Sequence, residues 1–380
     1  MNIRLFKPSI GNEELEEIEK IFQQSWLGLG EKVNEFENAW SEKFNYRSSI
    51  GVNSATAALH LALALFRFNR GKEVLVPSMT FASTATAVLY NNLQPVFVDI
   101  NPNTMVMDIE DLEKKITKNS VAIIPVHYGG EPCEMDKIIS IASTKGLKVI
   151  EDCAHTQGGK FQGRKLGKWG DIGCYSFEEK KGMTTGDGGM LCSDDKDLIE
   201  PAKAMRWVGI DKDTWKRKVD NRFSSANHWF YEISILGYKY NMNNLAAAIG
   251  TAQLKKLDNF NLNKIEIIKK YLAGLKNIKG IKSLLPYSNI NDGTSSYWLF
   301  GVKTQKRDKL ISYFSQKGIS TGVHFTPLNQ QPLFNKYYGD TPISEKIYEQ
   351  ICTLPLHPEL TDVELNYILG ELNTFSELYL

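Results

Sequence analysis

The 380-residue sequence has little excess of either charge: 45 Lys and Arg stand against 44 Asp and Glu, a formal net charge of +1. That balance gives no electrostatic basis for expecting nucleic acid or an anionic membrane as a partner. No apolar run approaches the length needed to span a bilayer, and residues 1–8 have no apolar core before their second basic residue. Secretion and membrane insertion are therefore not expected. Cysteine is scarce: Cys133, Cys153, Cys174, Cys192 and Cys352 are odd in number, scattered and without paired metal-ligand spacing. The expectation is a reduced, cytoplasmic protein with no metal site. Internal repeats and low-complexity tracts are also lacking. Hydrophobic residues at 42% and charged residues at 23% mark an ordinary globular chain, long enough for two cores or for one large core with a smaller domain.

What the chain does have is alternation. Residues 12–24 read as an amphipathic helix with acids in its first turn and Asn12 as its cap. The glycine-bearing loop Trp26-Leu27-Gly28-Leu29-Gly30 separates it from a second helix through Phe36, Trp40 and Phe44. Residues 51–63 read as a short strand whose end, Asn53-Ser54-Ala55-Thr56, opens a helix. Free N–H groups at such a start, flanked by hydroxyls, make an anion site, although Ser and Thr there are more often plain caps. His60 falls on the apolar side of that helix, where a core histidine is the ordinary reading. Short β-branched runs at 73–77, 95–100, 121–127 and 147–152 then alternate with helical stretches at 82–92, 108–116 and 135–145. This is the pattern of a mostly parallel sheet covered on both faces. Ligands in such sheets sit at the carboxyl ends of the strands, where Thr80-Phe81, His127-Tyr128-Gly129-Gly130 and Asp152 fall.

Residues 206–229 read as irregular. A long helix with Leu254, Leu257, Ile265, Ile268, Leu272 and Leu275 on one face follows residues 237–244. A smaller α+β unit comes next, with strands near 297–303 and 321–325 and a helix near 309–317. The expected division is a large domain over residues 1–245 and a small one over 246–380.

One stretch stands apart. Ser176-Phe177-Glu178-Glu179-Lys180-Lys181 runs on to Gly186-Asp187-Gly188-Gly189, bringing a hydroxyl, a ring, two lysines and a cluster of glycines into fourteen residues. A lysine in a walled pocket has its pKa lowered enough to act as nucleophile and proton carrier. Alone, the stretch reads equally well as a basic hairpin. Alongside it stand an acid at a strand end (Asp152) to pair with a pyridinium nitrogen, an aromatic (Phe81) to stack on a ring and a Ser/Thr helix start to hold phosphate. With Lys181 to form a Schiff base, these are the parts of a pyridoxal phosphate enzyme.

The order of these motifs, as well as their content, resembles the DegT/DnrJ/EryC1/StrS sugar aminotransferases, from about residue 10 to about residue 369. The signatures are Asn53-Ser54-Ala55-Thr56-Ala57-Ala58-Leu59, Val76-Pro77-Ser78-Met79-Thr80-Phe81, Pro125 through Gly130, Glu151-Asp152-Cys153-Ala154-His155, the lysine stretch, and Gly237 through Gly250. Val323-His324-Phe325-Thr326-Pro327-Leu328 and Leu354-Pro355-Leu356-His357-Pro358 also fit. The resemblance implies an α/β protein of pyridoxal phosphate fold type I: three layers around a mostly parallel sheet, with a smaller α+β carboxyl-terminal domain.

It also implies roles. Lys181 would be the covalent anchor and proton carrier, with Lys180 a solvated neighbour because adjacent residues of an extended segment face opposite ways. Asp152 would hold the pyridine nitrogen protonated, His155 would lie near the phenolic oxygen and Phe81 would stack on the ring. Ala55, Thr56 and Ser176 would form the phosphate cradle. Asn241, within the Gly-Tyr-Lys-Tyr-Asn sequence shared with lipid A aminoarabinose aminotransferases, would reach phosphate from a partner subunit, which implies a homodimer. The amino group would come from L-glutamate through pyridoxamine phosphate and pass to a nucleotide-linked keto sugar. Sugar contacts would come from loops that include Trp26, His324 and Asn329.

The sequence departs from the family pattern at Asp187, where most members have Glu, at Lys239 and Asn241, and at Asn329, where many carry a second histidine. Two rival readings stand beside this one. Deoxysugar dehydratases of the same fold carry histidine in place of the anchoring lysine, which Lys181 opposes. A non-catalytic regulator would leave the lysine, the aspartate and the cradle without purpose.

Overall fold

The apolar runs pair into one seven-stranded sheet that carries the rest of the chain. The computed structural model describes residues 1–210, 231–291 and 295–380. The strands are β1 (Ser48–Val52), β2 (Glu73–Pro77), β3 (Gln94–Val98), β4 (Ser120–Ile123) and β5 (Lys148–Asp152), then, after a small hairpin of β6 (Lys160–Phe161) and β7 (Arg164–Lys165), β8 (Ile172–Ser176) and β9 (Gly189–Ser193). Their order is β1-β9-β8-β5-β4-β2-β3. Strands β3, β2, β4, β5 and β8 run parallel, and β9 alone is reversed, antiparallel to both β8 and β1.

Both faces of this sheet are covered, as its continuous apolar strands require. The pleat sends alternate residues to two different cores. Leu75, Ile123 and Val149 join the core shared with the carboxyl-terminal unit. Val74, Val76, Ala122 and Ile150 join the core under the helices α3 (Ala55–Leu65), α4 (Ala82–Tyr90) and α7 (Lys196–Met205). A third, aromatic cluster of Phe36, Trp40, Phe44, Tyr175 and Phe177 backs β8 and β9 against the second amino-terminal helix.

Helix by helix, the expected positions hold for α1 (Asn12–Gln24), α2 (Glu31–Phe44), α5 (Ile109–Lys115) and α6 (Met135–Lys145). The cap of α1 differs: Gly11 is the N-cap, its N–H donating to Glu14 Oε2 at 2.7 Å, and Asn12 is the first helical residue. Helix α8 (Asn244–Leu275) is 32 residues long, is capped by Asn243 Oδ1 accepting from the Ala246 N–H, and crosses α1 and α2. Residue 245 lies in its first turn.

The carboxyl-terminal unit holds an antiparallel sheet of β10 (Lys282–Ser283), β11 (Phe300–Lys303) and β12 (Ile351–Leu354), with α9 (Arg307–Gln316), α10 (Pro342–Tyr348) and α11 (Asp362–Tyr379). The start of the chain is built into this unit: Ile3 bridges Ile319, and the Leu356 N–H donates to the Leu5 carbonyl at 3.1 Å.

Residues 321–325 are not a strand; only Gly322 pairs, with Thr353. His324 and Phe325 both face one cavity, which the alternation of a strand forbids. Of the stretch read as irregular, residues 211–229 lie outside the described residues. Its first part is anchored by Arg206, fully buried, whose guanidinium meets Glu37 and donates to the Gly51 carbonyl at 2.9 Å. Glu37 also accepts from the Gly51 N–H at 2.8 Å, so this ion pair clamps the end of β1.

Candidate active site

Strand ends and helix starts converge on a cavity of about 360 Å³. Its floor is built at the carboxyl ends of β1, β5 and β8, where a parallel sheet leaves backbone groups free to face a ligand.

The turn after β1 supplies an anion site. Ser54 is the N-cap of α3, its Oγ accepting from the Ala57 N–H at 3.1 Å. The N–H groups of Ala55 and Thr56, in the first turn, have no acceptor within the helix, and both residues line the cavity. Thr56 Oγ1 and Ser83 Oγ sit 2.6 Å apart beside them. Gly189 lets β9 pass this turn: a Cβ there would stand 2.5 Å from the Ser54 carbonyl carbon, so no other residue fits without moving the backbone.

Asp152 ends β5. Its carboxylate accepts from Thr84 Oγ1 at 2.9 Å and from the Ala154 N–H at 3.1 Å. Burial pushes its pKa up; these two hydrogen bonds and the positive charge of Lys181 pull the other way. A buried carboxylate so placed gains from a protonated ring nitrogen brought against it.

Its neighbour Glu151 points to the opposite side of the strand and is fully occupied. Glu151 accepts from the N–H groups of Gly167, Trp169 and Gly170 at 2.6–2.7 Å and pairs with His127 Nε2 at 3.1 Å. His127, Glu151 and Cys153 form a buried cluster of metal-ligand type. His127 Nδ1 accepts from the Cys133 N–H, so its proton sits on Nε2 and is given to Glu151. The cluster is a hydrogen-bonded latch for the 167–170 turn.

His155 is buried and lies parallel to the Trp298 indole, with centroids 4.1 Å apart and planes 11° apart. Its Nδ1 accepts from the Gly129 N–H at 3.3 Å. Burial and the nearby Lys181 hold its pKa well below the usual range, so the ring is neutral with its proton on Nε2, ready to donate.

Lys181 is half-buried on the loop between β8 and β9. Burial lowers its pKa to about 8, so on the order of a tenth of the amine is unprotonated at pH 7, far more than for a free lysine. Lys180 is exposed, 4.0 Å from Glu178. The two lysines part company because the loop turns here, the Lys181 N–H donating to the Glu178 carbonyl at 2.9 Å, and not because the segment is extended. Lys180 still reaches the cavity rim.

Ser176 and Phe81 also line the cavity, Phe81 with 58% of its surface exposed and its ring 5.9 Å from Phe325. His324 lines it too; its Nδ1 meets Thr353 Oγ1 at 2.9 Å, and burial with Lys181 nearby lowers its pKa to about 4. Trp26, Asn241 and Asn329 do not line the cavity of their own chain. Trp26 closes its own loop, Nε1–H to the Leu29 carbonyl at 2.9 Å. Asn241 accepts from Lys239 Nζ at 2.7 Å beside the end of β1, and Asn329 donates to Glu345 at 2.8 Å.

Ser83, Thr84 and Trp298 are wall residues that escaped the sequence reading. Thr84 follows Phe81 by three positions on α4, a helical spacing that places both at the cavity. Trp298 stands on the remote carboxyl-terminal unit, and no local signal pointed to it.

Pyridoxal phosphate fits this set: an anion site at the start of α3, a carboxylate at the end of β5, a neutral imidazole donor and a depressed amine, all on one cavity. The model for the DegT/DnrJ/EryC1/StrS aminotransferase family matches residues 8–373. The chain is 34% identical to the spore coat polysaccharide biosynthesis protein SpsC of Bacillus subtilis, over 95% of this chain and 94% of that one. It is 33% identical to the GDP-perosamine synthase of Escherichia coli, over 98% of both. Among solved structures, a candidate sugar aminotransferase of Streptococcus pneumoniae in its PMP form superposes with a TM-score of 0.91 at 27% identity, over 100% of both chains. The same protein in its PLP form gives a TM-score of 0.90. The motifs, the sheet with its reversed β9 and the cavity thus have one common explanation: the chain belongs to the DegT/DnrJ/EryC1/StrS aminotransferase family, and it is a pyridoxal-phosphate-dependent sugar aminotransferase of fold type I.

Proposed function

We propose that the protein transfers the amino group of L-glutamate to a keto sugar carried by a nucleotide, for the synthesis of an amino sugar destined for a surface polysaccharide or related glycan. The observation that carries this reading is the 33% identity, over 98% of both chains, to a GDP-perosamine synthase. The cavity supports it: Phe81 and Phe325 line it with apolar rings of the kind that pack on sugars, and Lys180 places a cation at the rim.

Pyridoxal phosphate supplies the carbonyl that takes up the amino group and a ring that draws electrons from the carbon losing its proton. The protein does the rest. Ala55 and Thr56 would hold the phosphate at the start of α3, with Ser176 beside them. Asp152, its carboxylate aligned by Thr84, would favour a protonated ring nitrogen. His155 would offer its Nε2 proton to the ring oxygen. Lys181 would hold the cofactor through its amine and, when free, would carry the proton taken from the donor's α-carbon and return one to the sugar carbon in the reverse half reaction.

The enzyme works in the cytoplasm as a homodimer, with Asn241 of one copy serving the cavity of the other. A panel of UDP-, dTDP- and GDP-linked keto sugars with glutamate, followed by 2-oxoglutarate release, tests the substrate class. Amination of at least one supports it; amination of none, in a protein whose absorbance still responds to glutamate, overturns it.

A further inference from the structure

The indole of Trp298 meets several groups of the site at once. Lys181 Nζ lies 4.0 Å from its ring centroid. His155 is stacked parallel to it at 4.1 Å, and His324 meets it edge-on at 5.1 Å. Its Nε1–H donates to the Lys180 carbonyl at 2.7 Å, fixing the backbone immediately before the reactive lysine. The ring of Phe6 lies parallel to the indole, with centroids 5.1 Å apart and planes 5° apart. Trp298 itself is 5% exposed and just precedes β11, on the carboxyl-terminal unit. One side chain from outside the main sheet thus contacts the amine, the imidazole and the peptide that carries the amine.

We propose that Trp298 is a positioning residue of this active site: its indole sets the rotamer of Lys181 and the plane of His155 together, and its contact with Phe6 ties both to the amino-terminal segment. A lysine side chain has four rotatable bonds, and a free one samples many rotamers. A proton carrier has to present its nitrogen at one place, and a displacement of about 1 Å costs on the order of 10²-fold in rate. The aromatic face attracts the ammonium form and the indole excludes water from it, while the Nε1–H bond stops the 178–182 turn from swinging away. His155 gains its ring plane from the same indole, so the two groups cannot drift apart independently. Phe6 holds the indole from the segment that Ile3 and Leu5 pin to the carboxyl-terminal unit.

This rests on Lys181 being the reacting amine, and the first measurement is independent of that role. In cofactor-free protein, charge on an amine 4 Å from an indole changes its emission. Emission should titrate with a midpoint near pH 8, and that component should be missing from both Lys181→Ala and Trp298→Phe. A titration unchanged in Trp298→Phe would overturn the placement of the amine on this ring. The second measurement uses the loaded enzyme. Trp298→Leu should lower kcat for the glutamate half reaction on the order of 10²-fold while KM changes only a few-fold, and Trp298→Phe, which keeps a ring face, should recover most of the loss. Phe6→Ala, outside the cofactor cavity, should fall between native and Trp298→Leu. Equal kcat in native and Trp298→Leu would overturn the proposal, as would equal losses in the Leu and Phe variants. Should Trp298→Leu fail to fold, the emission titration and the native-to-Phe6→Ala comparison still decide. If Lys181→Ala stayed active while emission titrated as expected, the assignment of the reacting amine would fail and the contact would stand.

Discussion

Thr84 Oγ1 donates to Asp152 Oδ2 at 2.9 Å, and Thr80 Oγ1 in turn lies 3.0 Å from Thr84 Oγ1. A short hydroxyl chain, from Thr80 in the turn before α4 to Thr84 in its first turn, therefore sets the orientation of the acid at the end of β5. Because the hydrogen bond favours the charged carboxylate, it opposes the upward push of burial on the Asp152 pKa.

Thr84→Val removes that bond without changing side-chain volume. The Asp152 pKa should rise, so the acid limb of the pH–kcat profile should move to higher pH. Asp152→Asn should keep the cofactor bound, by its absorbance, but lose on the order of 10²–10⁴-fold in transamination. An acid limb that stayed in place in Thr84→Val would show that Asp152 is not the group it reports.

The amine at Lys181, lowered by burial to about 8, should capture pyridoxal phosphate faster as pH rises, with a midpoint near 8. Lys181→Ala should fold normally and lose transamination. Borohydride reduction followed by peptide mapping should place the cofactor on Lys181; finding it on Lys180 would overturn the assignment.

Lys264, on α8, is 3% exposed, and burial lowers its pKa to about 7. Its folded pKa lies below the unfolded value of about 10.4. The unfolded chain therefore binds the extra proton between these values, so this group makes stability rise with pH from about 7 to about 10.4. Below pH 7 the burden is full, roughly 1.4 kcal/mol for each unit of depression. Lys264→Met should raise Tm more at pH 6 than at pH 9, by differential scanning calorimetry. An equal gain at both pH values would contradict the depressed amine.

The buried pair of Glu37 and Arg206 clamps both backbone groups of Gly51. Removing one partner leaves an unpaired charge in the core, at a cost of about 3–5 kcal/mol. Glu37→Ala should therefore lower the urea midpoint sharply. Because Gly51 leads directly into the Ser54–Thr56 turn, it should also weaken cofactor retention in equilibrium dialysis. A destabilised variant that holds the cofactor as tightly as the native protein would separate the clamp from the cradle.

The sheet was legible because its strands are short, β-branched and bounded by helix signals: residues 73–77 and 135–145 were placed to the residue. The acid, the lysine and the helix start that the sequence singled out all line one cavity, each close in sequence to its own motif. What was illegible came from contacts across the chain. Trp298 reaches Lys181 over more than a hundred residues, and no local pattern encodes that meeting. Residues 321–325 were read as a strand, but a cavity that takes both His324 and Phe325 overrides the pleat. Asn12, read as the cap of α1, is its first helical residue, with Gly11 at the N-cap. Trp26 and Asn329 were drawn from resemblance alone, and their side chains are bonded elsewhere in the chain.

The adjacent acids of β5 carry a warning for mutagenesis. Strand alternation sends Asp152 to the cavity and Glu151 into the latch with Gly167, Trp169, Gly170 and His127. Alanine at Glu151 would strand three amide donors and an imidazole in the core, and the variant would be dead for reasons of folding. A scan read by activity alone would rank the two acids as equals, though only Asp152 faces the cavity.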